Sequence, residues 1–322
     1  MTPETPMSRD AVTRTDAPLS TDTTPPAVAA PDTAARFRLP RLSALEWTGV
    51  GILAVVVAFI LILPLTPGYD PLGQDLSRTF VPPFTDPAHP LGTDVLGRDT
   101  MSRLAQGGQV SLGIVLLVVI VNAIIGMTIG MIAGYAGGRL DSLLMSWADV
   151  QLAMPVILIL IALSATFGPS SALMVITLAA TYWVGYARVA RSTALTLRER
   201  DFVTSARIQG GTPQWIVSTH IAPHVGVQTL ILASSDIGGI LLLTSSFDYL
   251  GLGVQPPTPS WGLLISEGQK FIRDAPYLSI MPGVAIFLVV IATNLVSQRF
   301  TAERDLSTLR RRRVSRWRKD AS

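Results

Sequence analysis

From residue 46 onward the chain alternates long apolar runs with short polar breaks. The first, EWTGVGILAVVVAFILILPLTP (46–67), holds an uninterrupted apolar stretch long enough for a bilayer core, which takes about 20 helical residues. Five more follow at roughly 110–136, 143–167, 172–190, 225–247 and 277–296. This pattern predicts an all-α membrane protein of six transmembrane helices. The first run lies too deep in the chain, and lacks an A-x-A site, to read as a cleaved signal peptide, so it is expected to stay as a span.

The polar segments complete the layout. Residues 1–42, rich in Thr, Pro, Asp and Ala, bury too little apolar surface to offset ordering entropy and are expected to form a disordered tail. A first transmembrane helix is expected over 43–67, an extracytoplasmic loop over 68–106, a five-helix core over 107–300 that includes a loop at 198–223, and a basic tail over 301–322. Arginines set the orientation. Arg36, Arg38 and Arg41 precede the first span, Arg139 follows the second, Arg188, Arg191, Arg198, Arg200 and Arg207 follow the fourth, and RRRRVSRWRK (310–319) follows the sixth. The positive-inside rule then puts both termini and residues 201–223 in the cytosol, and GLGVQPPTPSWG (251–262) outside.

Composition narrows the chemistry. Charged residues are only 15% against 49% hydrophobic, and mean hydropathy is +0.45, a charge content far below that of a soluble domain. The net charge of +3 comes largely from arginines at segment ends, which suits cytoplasmic retention better than nucleic-acid binding. With no cysteine there are no disulfides, thiolate sites or thiol nucleophiles. His220 and His224 stand four apart, but Pro223 interrupts them and no carboxylate completes a zincin pattern, so no metal or cofactor is expected on this chain.

Within the spans, Gly126, Gly130, Gly134 and Gly138 form a small-xxx-small ridge suited to close helix approach, and Pro155 should loosen the third span locally. Four polar residues, Asn122, Asp149, Asp236 and Asn294, are candidates for the wall of a translocation path. Asp236 lies mid-span, where a carboxylate costs about 2.5–3.5 kcal/mol on insertion scales, so it is expected to face a cavity or a partner helix. Two readings stay open: path wall, or interhelical hydrogen bond from a protonated acid.

Between the fourth and fifth runs lies DFVTSARIQGGTPQWIVSTHIAP (201–223). Asp201 suits an N-cap, Gly210-Gly211 a helix end, and Thr212 with Pro213 the N-cap and first residue of a second helix, which Pro223 is expected to delimit. The result is a helix-turn-helix knuckle without nucleophile, base or metal cluster. Its work is docking.

This stretch resembles the EAA loop of ABC-importer permeases, E-A-A, three residues, Gly, nine residues, I-x-L-P. The corresponding residues are Thr204, Ser205, Ala206, Gly210, His220, Ala222 and Pro223; Ala206, Gly210 and Pro223 match, while Thr204 replaces the glutamate and Ala222 the leucine. HPLGTDVLGRD (89–99), SRLAQGGQVSL (102–112), RERDFV (198–203) and YLGLGVQPPTPSWG (249–262) look like signatures of the oligopeptide/dipeptide branch, in their usual order. Together they span about residues 86–300. The resemblance implies a type I importer permease fold in a prokaryotic inner membrane. It also implies a second homologous permease, two cytosolic ATPase subunits that hold ATP-Mg, and an extracytoplasmic solute-binding protein. The knuckle would be the coupling helix, with Asp201, Thr204, Ser205, Ala206, Gly210, Gly211, Thr212, Pro213 and Pro223 at the ATPase contact. Peptides are the default solute, with nickel complexes, glutathione or haem as alternatives.

The chain has no G-x-x-x-x-G-K-[ST] loop of its own, and is not expected to be an enzyme. On the outer side, Gln255, Pro256 and Trp261 either cap the path or meet the binding protein; the alternative is a rigid loop with Trp261 at headgroup level. Arg98, Asp94 and Asp99 are expected to form a local, structural polar network. Two rival classes are a stand-alone secondary transporter, which would want ion sites and an internal repeat, and an intramembrane hydrolase, which would want paired catalytic groups at one depth.

Overall fold

A computed structural model describes residues 44–297. The expected tails at 1–42 and 301–322 lie outside the described residues. Helix α1 (Ala44–Ile62) runs into a 3₁₀ turn, Leu63–Leu65, that holds Pro64. Helix α2 (Thr100–Ala136) begins earlier than the apolar pattern predicts, taking in residues 100–106 that were assigned to the loop. The reason is local. Asp99 caps it, its carboxylate accepting the Ser102 amide at 2.7 Å, and the polar first turns pack on other protein elements instead of on lipid. At 37 residues α2 is about 55 Å long, well beyond a hydrocarbon core of about 30 Å.

The third run is not one straight span. Helix α3 (Gly138–Leu152) and helix α4 (Val156–Phe167) meet at a 75° bend. Pro155 has no N–H to continue the ladder and disfavours helical backbone at Met154, so the chain breaks there and restarts with Pro155 extended. Among the described residues, five helices are long and apolar enough to cross a membrane, and the bent pair makes a sixth crossing if it counts as one span. Helix α5 (Ser171–Arg198) starts at Ser170, whose hydroxyl accepts the Leu173 amide.

Two short helices, α6 (Asp201–Ile208) and α7 (Pro213–Ile216), precede a π-helical turn, Val217–Ile221, and helix α8 (Ala222–Tyr249). Pro223 was expected to end the second knuckle helix, but Pro213–Tyr249 is one 37-residue helical stretch. The widened π turn sits where Pro223 lacks its N–H, and accommodates the ring without a break. Helix α9 (Trp261–Gln269) and helix α10 (Tyr277–Ser297) complete the described chain.

Packing centres on α2 against α5. A Cβ at Gly126 would strike the Tyr186 Cβ and Trp183 carbonyl, one at Gly130 the Ala187 carbonyl, and one at Gly134 would come within 2.7 Å of the Arg191 carbonyl. Three glycines thus let two backbones touch. Gly138, the expected fourth, has φ +60 and open space around it, and opens α3 at the turn. Arg191 of α5 grips Asp141 of α3 with two bonds, 2.5 and 2.7 Å, fixing α3 to the pair. Val115, Val118, Leu178, Leu241 and Val289 fill the core, while Leu61, Leu143, Trp147, Ile176, Leu230 and Phe287 face outward, a surface suited to hydrocarbon.

Candidate functional site

The knuckle is built by capping chemistry. Arg200 is extended and stands at the N-cap position, so Asp201 is the first helical residue and not the cap expected of it; no side chain caps this end. From the first turn its carboxylate still offsets the free N–H groups. The far end closes as a Schellman motif: the Gly210 amide donates to the Arg207 carbonyl at 3.1 Å and the Gly211 amide to the Ala206 carbonyl at 3.0 Å. Gly210 has φ +82, with nothing within 4 Å of a Cβ built there. The requirement for glycine is therefore conformational, not one of space. Thr212 accepts the Trp215 amide through its hydroxyl at 3.3 Å with Pro213 in the first turn, as the sequence predicts.

One face of the knuckle is buried and the other is open. Val203 and Ala206 pack on Ile216, Ile221 and Val225, together with Met131 of α2 and Ala190 and Ala194 of α5. Arg207 lies 5.8 Å over the Tyr135 ring near the end of α2, and Arg198 donates to the Tyr135 carbonyl at 3.3 Å. The knuckle thus touches α2, α5 and α8 at once. Outward stand Thr204, Ser205, Phe202, Trp215 and Ile208, the last 81% exposed. His220 packs edge-on against Trp215 at 5.0 Å, and Phe202 lies 6.1 Å from His220 and 6.4 Å from His224. Pro223 is exposed at the second residue of α8.

The four candidate path residues are not gathered in one place. Asn122 is fully buried in α2, its amide donating to the Val118 carbonyl and its Oδ1 unpartnered. Asp149 pairs with Arg188 at 2.7 Å, an exposed bridge between α3 and α5. Asn294 of α10 is exposed and bonds its own Val290 carbonyl. Asp236 is half-buried on α8 beside Tyr186 of α5, with Tyr182 one turn away on that helix. No periodicity in the sequence announces those tyrosines; their i,i+4 spacing on one face of α5 was the available signal.

The family of binding-protein-dependent transport system inner membrane components matches residues 126–303, more than half the chain. The chain belongs to this family. Among similar proteins, the nickel transport system permease protein NikC of Escherichia coli (strain K12) is 35% identical over 78% of this chain and 91% of its own. The oligopeptide transport system permease protein OppC of Haemophilus influenzae is 32% identical over 76% and 79%, and the di/tripeptide transport system permease protein DppC of Pseudomonas aeruginosa 32% over 77% and 83%. This permease is therefore a non-catalytic, multi-pass subunit of an ABC importer, working with an ATPase and a solute-binding protein.

At the opposite end of α2 the permease carries a lobe fastened by charge. Asp94 accepts the Leu96 and Arg98 amides at 2.8 and 2.9 Å on one oxygen, and the Arg98 Nε at 2.6 Å together with Arg103 on the other. Arg103 also donates to Glu267 of α9 at 2.8 Å, with Arg98 3.6 Å from the same oxygen. Two arginines and two carboxylates balance. The expected Arg98–Asp94 contact is present, whereas Asp99 lies outside it, capping α2 and meeting His89 at 3.1 Å. Sequence reasoning missed Arg103 and Glu267. Nearby, the Ser77 hydroxyl and amide hold the exposed Asp75 carboxyl below the ordinary carboxylate range.

Trp261 departs from expectation most clearly. Its side chain is 1% exposed, the indole donating to the Leu104 carbonyl at 2.9 Å, so it is neither an outward anchor nor a headgroup-level residue. Gly107 and Gly108 on α2 make the room: a Cβ at Gly108 would come within 2.8 Å of the indole. Gln255 and Pro256 remain exposed. The loop carrying them is tied down by the buried Asp248, which accepts the Val254 amide at 2.8 Å.

Proposed function

We propose that this permease lines half of a solute path, with a second homologous permease supplying the other half, and that its knuckle is the contact for one of two cytosolic ATPases. The observation that carries this is the knuckle's two-sided character: one face seated on α2, α5 and α8, the other presenting Phe202, Ile208 and Trp215 to solvent. Apolar groups held outward on a cap seated by its other face suit a groove in a partner. Asp201, Thr204, Ser205, Ala206, Gly210, Gly211, Thr212, Pro213 and Pro223 form or shape that contact, and ATP-Mg stays with the ATPases. In this reading both termini, the tails at 1–42 and 301–322 and the knuckle lie in the cytosol of a prokaryotic cell, with the lobe outside. Gln255 and Pro256 are then placed to meet the binding protein, and Asp236 to border the path.

Because the natural chain has no cysteine, Ile208→Cys offers a single thiol. In the assembled complex it is expected to cross-link to a cysteine placed in the ATPase groove, with a yield that changes with nucleotide. Labelling of that thiol by an impermeant reagent from the outer face of intact cells would overturn the assignment.

Di- or oligopeptides are the solute this reading favours, supported by the relatives named for oligopeptide and di/tripeptide transport. A nickel complex is the second reading, supported by the relative named for nickel transport. Mass spectrometry of the solute held by the partner binding protein decides between them.

A further inference from the structure

Beside the charged lobe lies a cavity of about 280 Å³, just under the usual range for a small-molecule site. Its apolar walls come from four elements: Val95 of the lobe, Leu104 of α2, Leu264 of α9, and Leu278 and Pro282 of α10. The walls are held in place. The Tyr277 hydroxyl donates to the Thr93 carbonyl at 2.8 Å, and the Phe80 and Phe271 rings stand 5.0 Å apart. Pro282 is the sixth residue of the span Tyr277–Ser297, so the α10 wall lies within about 8 Å of the end of that span. This is the depth at which lipid headgroups give way to acyl chains.

The polar wall carries a surplus of positive charge. Asp94 and Glu267 are matched by Arg98 and Arg103, which leaves Lys270, exposed and without an ion-pair partner among the described residues. Arg98, 7% exposed, spends only its Nε in a side-chain hydrogen bond, to Asp94, while its Nη2 stands 3.6 Å from Glu267. A guanidinium on the cavity wall thus keeps donors to spare.

We propose that this cavity holds the phosphate and glycerol of one anionic phospholipid from the leaflet at the lobe end, with Lys270 and Arg98 donating to the phosphate. A single surplus cation suits a monoanionic head, and a second N–H donor fits a phosphate oxygen. A choline head would instead bring its own cation against Lys270. The cavity is too small to enclose a whole lipid, so the acyl chains stay in the bilayer. Bound there, the head ties the lobe to α9 and α10. The site stands apart from the solute path and from the knuckle's ATPase contact.

The test uses the assembled importer, stripped of lipid in detergent. Native mass spectrometry reads the binding of dioleoylphosphatidylglycerol and of dioleoylphosphatidylcholine, and the melting temperature is followed as each is added. Differences between wild type and variants isolate this cavity from lipid held elsewhere in the complex. Phosphatidylglycerol is expected to bind about fivefold more tightly than phosphatidylcholine, and Lys270→Glu to weaken it about thirtyfold, one attraction lost and one repulsion gained at about fivefold each. Arg273→Glu makes the same change of charge three residues on, at an exposed position off the cavity wall, and is expected to cost less than fivefold. Val95→Trp fills the cavity from an exposed position without altering charge, and is expected to remove most of the rise in melting temperature that phosphatidylglycerol gives the wild type. Equal losses in Lys270→Glu and Arg273→Glu, or a lipid response untouched by Val95→Trp, overturn the site. Displacement of the lipid by an equal concentration of glycerol phosphate would show a site for a free phosphate ester and overturn the lipid assignment.

Discussion

The lobe before α2 and the knuckle after α5 hang on the same helices, yet they are fastened by opposite means. In the lobe, four charged side chains converge from Asp94, Arg98, Arg103 and Glu267, both arginines are under a tenth exposed, and Trp261 is locked behind them by a hydrogen bond to α2. In the knuckle, Val203 and Ala206 are the only buried residues of α6, and its outer face is left apolar and open. A closed network is costly to breach from any side, because each charge removed strands another in low dielectric. A one-sided seat leaves the far side free to bind, and places the element at the low-stability end of the structure. The difference separates the region that keeps the bundle in shape from the region that, in the proposed reading, communicates.

Substitutions can break that contrast in order of size. Asp94→Ala should have the largest effect, about 3–5 kcal/mol, since it leaves Arg98 and Arg103 without their main counter-charge; thermal unfolding of the purified complex should show it, as should loss of folded protein from membranes. Gly130→Leu comes next, at about 1–3 kcal/mol, because it drives a side chain into the Ala187 backbone and pries apart the α2–α5 pair that carries both regions. Within the knuckle, Thr212→Ala should cost about 1 kcal/mol through loss of the cap, read as a small drop in melting temperature. Smallest in stability, and most informative, is Ile208→Asp: at 81% exposure it should stay within about 0.5 kcal/mol of the wild type while abolishing co-purification of the ATPase. A large loss of stability in Ile208→Asp, or none in Asp94→Ala, would erase the contrast.

What the sequence made legible was local. The Gly210 turn and the Thr212–Pro213 start were readable because their chemistry spans four residues, and the apolar runs because the bilayer sets their length. Contacts between distant residues were not. Arg103 meets Glu267 across 164 positions and Trp261 meets Leu104 across 157, and neither partner carries a mark in its own neighbourhood. The prolines misled in opposite directions. Pro155 was expected to loosen a span and instead bends it by 75°, while Pro223 was expected to stop a helix and is absorbed by a π turn. In both cases the outcome depends on what the surrounding turns can yield, which the residue alone does not state. Asp236 was singled out by depth, but its tyrosine neighbours emerged only when α5 was laid against α8.

If the knuckle couples as proposed, the continuous helical run from Pro213 to Tyr249 would act as a lever. Thirty-seven residues make a rod about 55 Å long, so a tilt of about 10° at one tip sweeps the other through about 10 Å. The Tyr249 hydroxyl is bonded to Gln269 of α9, so that stroke would be delivered straight to the opposite rim. Asp236, partway along the rod, would travel through only part of the arc.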